Sequence, residues 1–437
     1  MIIRARVVVT MDGPPIDNGA VAVSGDRITE VEKFPEISAR HSAQEIVDLG
    51  EQALLPGLIN AHSHLDYTCL RGKIPRQKSF TDWIRAINAE KAKLSPDDYV
   101  RSIGEGFAEA KRFGTTTIAN LTAFPELILR IESPIRTCWF AELIDVRDPS
   151  RAREIVDLAV AQLKGAEYWG LAPHALFTAS ANLYRHCEEI ARREDVLLTT
   201  HLAESREEMS MFRDASGPLF QFMQEIGRPM DDCRNETPLH RFSAILRDCT
   251  RSSPDSLAAT SRLRRPCRSS HSLHSSTSVG MTKGRMVVHL NELTESDFDL
   301  LKRSATKFQI VHCPRSHEYF GHSSFQFGKL HELGFTTCLG TDSLASNEDL
   351  SLFAEMRAFQ TEFPDVSPEE ILKMVTTNGA RALRQENLLG KIRSGFAADL
   401  IAIPVARSTS MFDEITAFDR PVSWAMIGGQ TQANPSP

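Results

Sequence analysis

The chain has 437 residues, of which 41% are hydrophobic and 24% charged, and its formal net charge is -7. That composition excludes a disordered or fibrous chain, and the acidic balance offers no general attraction to phosphate backbones or anionic lipid. The length exceeds the roughly 100–200 residues of a common domain and suits a large barrel with a smaller domain attached.

In chain order, the opening "MIIRARVVVTMDGPP" meets an acidic residue and a Gly-Pro-Pro turn too early for a signal peptide. No apolar run reaches the roughly 18 residues of a membrane span. The eight cysteines are scattered without CxxC spacing, which points to free buried thiols. Together these features lead to the expectation of a cytoplasmic protein. Residues 1–53 alternate β-rich runs with turns, "IIRARVVVT", "GAVAVSGDRITEVEKF" and "EIVDLG", and residues 388–437 repeat that character in "GFAADLIAIPV" and "PVSWAMIGG". Neither end is large enough to bury a core alone, so the two are expected to form one small composite β-sandwich domain.

Between them, over residues 54–387, come "ALLPGLIN", "TTTIANL", "TCWFAEL", "YWGLAPH", "VLLTTH", "MVVHL", "FQIVHC" and "FTTCLGT". Helical stretches separate these runs, among them "PDDYVRSIGEGFAEAKRFG", "RAREIVDLAVAQLKG" and "SPEEILKMVTTNGARALR", with apolar residues three and four apart. Strands alternating with helices in this number predict an α/β fold, a (β/α)8 TIM-type barrel, whose active site lies at the carboxyl ends of the strands. One segment departs from the pattern. Residues 241–285 are rich in serine and arginine and lack sustained periodicity, so an irregular loop or disordered stretch is expected there, either an insertion or a segment read in the wrong frame, with His271 and His274 given no function.

Polar residues gather at the predicted strand ends. His62 and His64 follow the first run, His174 ends the fourth, and His201 ends the fifth with Glu204 just beyond. His289 lies in the sixth, His312 in the seventh, and Asp342 follows the eighth. A period of two lets His62 and His64 approach one ion from one strand. Imidazoles with a carboxylate suit a borderline divalent metal such as zinc, with iron or manganese as alternatives. A lone histidine is more often a satisfied core residue; this recurrence at strand ends is what favours a metal.

The motifs "LLPGLINAHSHLD", "GTTTIANL", "APHALFT", "HLAES", "HCPRSH", "GTDSLASNEDLSLFAEM" and "NGARAL" through "GKIRSGFAADLIAI" resemble the amidohydrolase superfamily, in its cytosine-, adenosine- and S-adenosylhomocysteine-deaminase-like and chlorohydrolase-like branch. HxH alone is weak, whereas HxH, HxxE and GTDS in this order form a specific set. The resemblance implies one metal held by His62, His64, His201 and Asp342, with Asp342 also accepting a proton from the attacking water. It implies Glu204 as general acid/base, His289 as the group that orients water, and His174 as a substrate contact. The implied reaction is hydrolytic deamination of an amino-substituted aromatic heterocycle, such as S-adenosylhomocysteine or aminodeoxyfutalosine. Removal of chloride or alkylamine from triazines, and cyclic-amide hydrolysis, are the alternatives on the same centre.

Substrate residues are sought in the loops. Arg71, Phe80 and Trp83 after the first run are candidates for an aromatic cleft, and Arg315 is a candidate to hold a substrate carboxylate. His317 stands where asparagine is usual in this branch. The expected partner is a small molecule, with no nucleic acid and no membrane, and a homo-oligomer is expected by analogy alone. A non-catalytic scaffold is the competing class, disfavoured because the implied ligands are all present.

Overall fold

The computed structural model describes residues 1–41, 43–251, 284–304, 307–406 and 410–432. Eight parallel strands run in sequence order round one sheet: β1 Leu58–Ser63, β2 Thr115–Thr122, β3 Arg136–Leu143, β4 Tyr168–Pro173, β5 Leu197–Leu202, β6 Arg285–His289, β7 Gln309–His312 and β8 Thr336–Leu339. Just beyond β8 the sheet returns to β1: the Thr341 and Asp342 N–H groups donate to the His62 carbonyl at 3.0 and 3.2 Å. This is the expected TIM-type barrel.

Alternation along the strands sorts the side chains into two cores. Ile118, Trp139, Leu171, Leu198, Val287 and Ile310 pack with Phe107, Val156 and Ile190 of the surrounding helices. Their neighbours Ala119, Phe140, Ala172, Leu197, Val288 and Val311 gather on the other side of the sheet. Helix boundaries follow local chemistry. Pro96–Arg112 begins with a Ser95/Asp98 capping box and Pro96 in its first turn, and it ends on Lys111 and Arg112.

Both ends of the chain build two further sheets. One has the order Arg27–Lys33, Gly19–Ser24, Ile2–Arg4, Ile46–Asp48. The other sets Gln52–Pro56 between Val7–Val8 and Leu400–Pro404, with Trp424–Ile427 beyond. Ile3 and Val21 of the first sheet share a core with Val8, Leu54, Leu400 and Met426 of the second. The run "ALLPGLIN", expected as one strand, therefore divides: residues up to Pro56 belong to the terminal sheet and Leu58 opens the barrel. Gly57 makes the crossing, because a Cβ there would sit 2.1 Å from Thr116 Oγ1.

Two other expectations change. "SPEEILKMVTTNGARALR" forms two helices, Pro368–Met374 and Thr377–Ala382, broken at Thr376 with φ -130° and ψ -95°. Residues 241–251, expected to be irregular, belong to the helix Pro238–Arg251. Phe242, Ile245, Leu246 and Cys249 recur at three- and four-residue spacing and are buried. His271 and His274 lie outside the described residues. Among those described, no helix is long and apolar enough to cross a membrane.

Candidate active site

The carboxyl ends of the strands bring the predicted metal residues together. His62 lies in β1 and His64 just past it, His201 in β5, and Asp342 beyond β8. The backbone is bent to aim these groups. Ala203, His289 and Asp342 have φ of 51°, 73° and 55°, a region non-glycine residues adopt at a cost on the order of 1–3 kcal/mol. Gly340 lets the chain pass His62, since a Cβ there would meet the His62 carbonyl oxygen at 2.7 Å and its Cβ at 2.8 Å.

His62 Nε2 and His64 Nε2 each lie 3.3 Å from His201 Nε2. Asp342 Oδ1 lies 3.7 Å from His62 Nε2 and 3.9 Å from His64 Nε2. Donors arranged tetrahedrally at about 2.0–2.1 Å from one ion are about 3.3–3.4 Å apart, so the two histidine edges fit a single ion of zinc's size, and the Asp342 edges are longer by about 0.3–0.6 Å. The fit is chemical as well as geometric. The His62, His64 and His201 nitrogens converge in a buried space with the buried Asp342 carboxylate beside them. The His201 Nδ1 faces the His174 carbonyl at 3.0 Å, leaving Nε2 free to ligate.

Burial opposes protonation of His64, His174, His201 and His289. It drives His64 and His289 well below the usual histidine range, and it brings His201 and His174 down to about 3; a proton on one ring also disfavours a proton on its neighbours, and Lys91 disfavours one on His174. The acidities of Glu204 and Asp342 move apart. Burial, then the charges of Asp342 and Glu208, push Glu204 well above the ordinary carboxylate value. Burial opposes ionisation of Asp342 too, but the His62 ring and the other imidazoles outweigh it and hold that carboxyl well below its usual value. Neighbouring carboxyls split in this way are suited to acid and base roles.

Glu204 is fixed from both sides of its backbone. Its N–H donates to Glu208 Oε2 at 2.8 Å, and its carbonyl accepts from Asn291 Nδ2 at 3.0 Å. Its Oε1 faces His289 Nε2 at 3.6 Å. Asp342 Oδ2 accepts the Ser316 hydroxyl at 2.6 Å, which leaves Oδ1 towards the histidines.

A cavity of about 310 Å³ opens above this cluster. His174 and Trp83 line it, with Phe80, Phe177, Phe320 and Lys91 among the other lining groups. Trp83 packs edge-on to Phe320 with ring centroids 4.9 Å apart, giving the cavity a rigid aromatic wall. Arg315 does not belong to this wall, which corrects the expectation of a substrate contact. Its guanidinium binds Asp349 at 2.7 Å and Glu348 at 3.2 Å, so its charge is already answered. Arg71 pairs with Glu109 instead. His317 and His312 pack together with ring centroids 5.1 Å apart, and neither lines the cavity.

Sequence reasoning missed Glu142, Ser316 and Lys91. Glu142 ends β3 as His201 ends β5, so its position carried the same signal. Ser316 stood beside Arg315 in a motif whose charge drew attention away from its hydroxyl.

Residues 53–431 match the profile of the Amidohydrolase family. A 5-methylthioadenosine/S-adenosylhomocysteine deaminase of Nitratidesulfovibrio vulgaris is 26% identical over 423 residues, covering 92% of this chain and 83% of the relative. The Helicobacter pylori aminofutalosine deaminase in complex with methylthio-coformycin superposes with a TM-score of 0.80 at 20% identity, over 99% of this chain and 100% of that one. An adenosine deaminase from Xanthomonas campestris with bound zinc gives 0.72 at 21% identity, over 98% and 92%.

Proposed function

The chain belongs to the amidohydrolase family, and from that premise we propose that it is a metal-dependent deaminase that replaces the amino group of an adenine-type nucleoside with oxygen and releases ammonia. The observation that carries this reading is the convergence of three imidazole nitrogens and Asp342 Oδ1 directly beneath a cavity that Glu204 also lines. The relatives' names support the choice of an adenine nucleoside. Zinc is part of the proposal, because a nitrogen-rich donor set with one carboxylate favours it over harder ions. So is a cytoplasmic location.

An ion at this position supplies, when bound, a water whose pKa is lowered from 15.7 towards about 7. The remaining work falls to the side chains. Glu204, kept protonated by burial, donates to a ring nitrogen of the substrate and makes the adjacent carbon electrophilic. Asp342, kept ionised, accepts a proton from the attacking water through its carboxylate and returns it to the amino group as the carbon–nitrogen bond breaks, so that ammonia leaves. His289, neutral in its buried position, hydrogen-bonds the oxygen as charge develops there. His174, Trp83 and Phe80 hold the heterocycle against the cavity wall and exclude bulk water.

The test is an ammonia-release screen on adenosine, 5-methylthioadenosine, S-adenosylhomocysteine and aminodeoxyfutalosine, with triazines as a second chemical class and Glu204→Gln as the blank. Turnover of an adenine nucleoside that disappears in the blank is the expected result. Turnover of triazines alone transfers the site to the chlorohydrolase reading, and no turnover by zinc-loaded protein on any of them removes the proposal.

A further inference from the structure

Glu142 has no place in the chemistry above, yet it is one of the most enclosed carboxylates at this end of the barrel. Its side chain is 4% exposed. Oε1 lies 3.6 Å from His64 Nδ1 and 3.8 Å from His174 Nε2, so it sits between a metal-binding imidazole and one that lines the cavity. The two ring nitrogens of His64 have divided tasks: Nε2 faces His201 and Asp342, while Nδ1 faces Glu142.

An imidazole that ligates through one nitrogen carries its proton on the other, and an acceptor behind that proton sets both tautomer and ring rotation. His201 already has such an acceptor in the His174 carbonyl. We propose that Glu142 is the corresponding positioning residue for His64, holding the Nδ1–H form so that Nε2 is presented to the ion, and tying that ligand to His174 in the substrate cavity. A displacement of about 0.7 Å brings the 3.6 Å contact to hydrogen-bond length. The inference rests on the metal-site reading above.

A rival role is visible in the same atoms. Glu142, His174 and His201 also lie close enough together to hold a cation of their own. That arrangement would draw on His201, whose Nε2 already faces His62 and His64 and whose Nδ1 faces the His174 carbonyl. With both nitrogens committed, a second ion would have to share a ligand with the first, and the geometry favours positioning.

The experiment measures zinc affinity by competition with a chromogenic chelator in the parent, Glu142→Gln and Glu142→Ala. Zinc content per chain and the melting temperature of the metal-free protein are measured alongside. Glutamine keeps the volume and removes the charged acceptor, so folding is preserved. The expected result is a zinc affinity about 10–100-fold weaker in Glu142→Gln, one ion per chain in both proteins, and little change in the metal-free melting temperature. A cobalt-substituted parent and variant should differ in their visible spectra, which a purely structural role would leave alone. Equal zinc affinity in parent and Glu142→Gln overturns the inference and leaves the metal site standing. Two ions in the parent and one in the variant also overturns it, by making Glu142 a ligand. No zinc in the parent removes the metal site itself, and this inference with it.

Discussion

The two mouths of one barrel make an instructive pair. At the amino ends of the strands a cavity of about 390 Å³ is lined by Arg136, Glu167, Tyr168, Glu194, Asp195 and Arg384; at the carboxyl ends lies the cavity of about 310 Å³ that holds the histidines. Size does not separate them, and both are rich in charge. The state of that charge does. At the amino end Arg136 meets Asp399 at 3.3 Å and Arg384 meets Asp195 at 2.9 Å, so carboxylates are answered by guanidinium groups. At the carboxyl end Glu142, Glu204 and Asp342 are buried and face imidazoles instead. Lys91 and Arg147 also line that cavity, but the basic groups in contact with these three acids are imidazoles. Buried acids and bases gathered in this way are costly to folding, and a site that needs an exchangeable cation is where that cost is tolerated.

If that difference marks function, breaking the ligand set should have the largest effect. His201→Ala should reduce zinc content to background and abolish ammonia release, as measured by elemental analysis and assay on one preparation. Glu204→Gln should keep the zinc and lose about 10²–10⁴-fold in kcat, the usual contribution of a positioned general acid. Ser316→Ala removes a hydroxyl bond to an ionised carboxylate, worth about 1.5–3 kcal/mol, and should weaken zinc binding or kcat by about 10–150-fold.

Changes at the other mouth should leave catalysis untouched. The Arg384 and Asp195 side chains are 35% and 82% exposed, so Arg384→Ala should cost no more than about 1 kcal/mol of stability, with kcat/KM unchanged. A comparable loss of activity there would break the comparison.

A pH-dependent effect sharpens the role of burial. Glu355, away from the cavity, accepts the Arg315 N–H at 3.0 Å and the Asn347 amide at 2.7 Å, and burial raises its carboxyl from 4.5 to about 7. A carboxyl raised on folding lends stability at low pH that is lost as pH rises through its folded pKa. Glu355→Gln should therefore gain on the parent in urea midpoint between about pH 5 and about pH 8, whatever its starting offset. A constant difference would mean that burial alone does not raise such groups here, and the protonated state assigned to Glu204 would lose its support.

Much of this contrast was legible in the sequence because barrel strands are short apolar runs with a sharp end. His62, His64, His201 and Asp342 stood out as polar residues at those ends, and the barrel brings all four together. What escaped reading depended on contacts distant in sequence. Arg315 looked free until the fold set Glu348 and Asp349 beside it. Gly57 gave no sign that its strand changes sheets, because the close approach of Thr116 is made by the next barrel strand. The helix Pro238–Arg251 was hidden by the serine- and arginine-rich composition around it, although Phe242, Ile245, Leu246 and Cys249 carried its period.

The central claim is tested most directly by zinc-edge anomalous diffraction from crystals of the zinc-loaded protein. One peak about 2.0–2.2 Å from His62 Nε2, His64 Nε2, His201 Nε2 and Asp342 Oδ1 is predicted. Full zinc loading with the peak elsewhere, or these four side chains in place with no density among them, would contradict it.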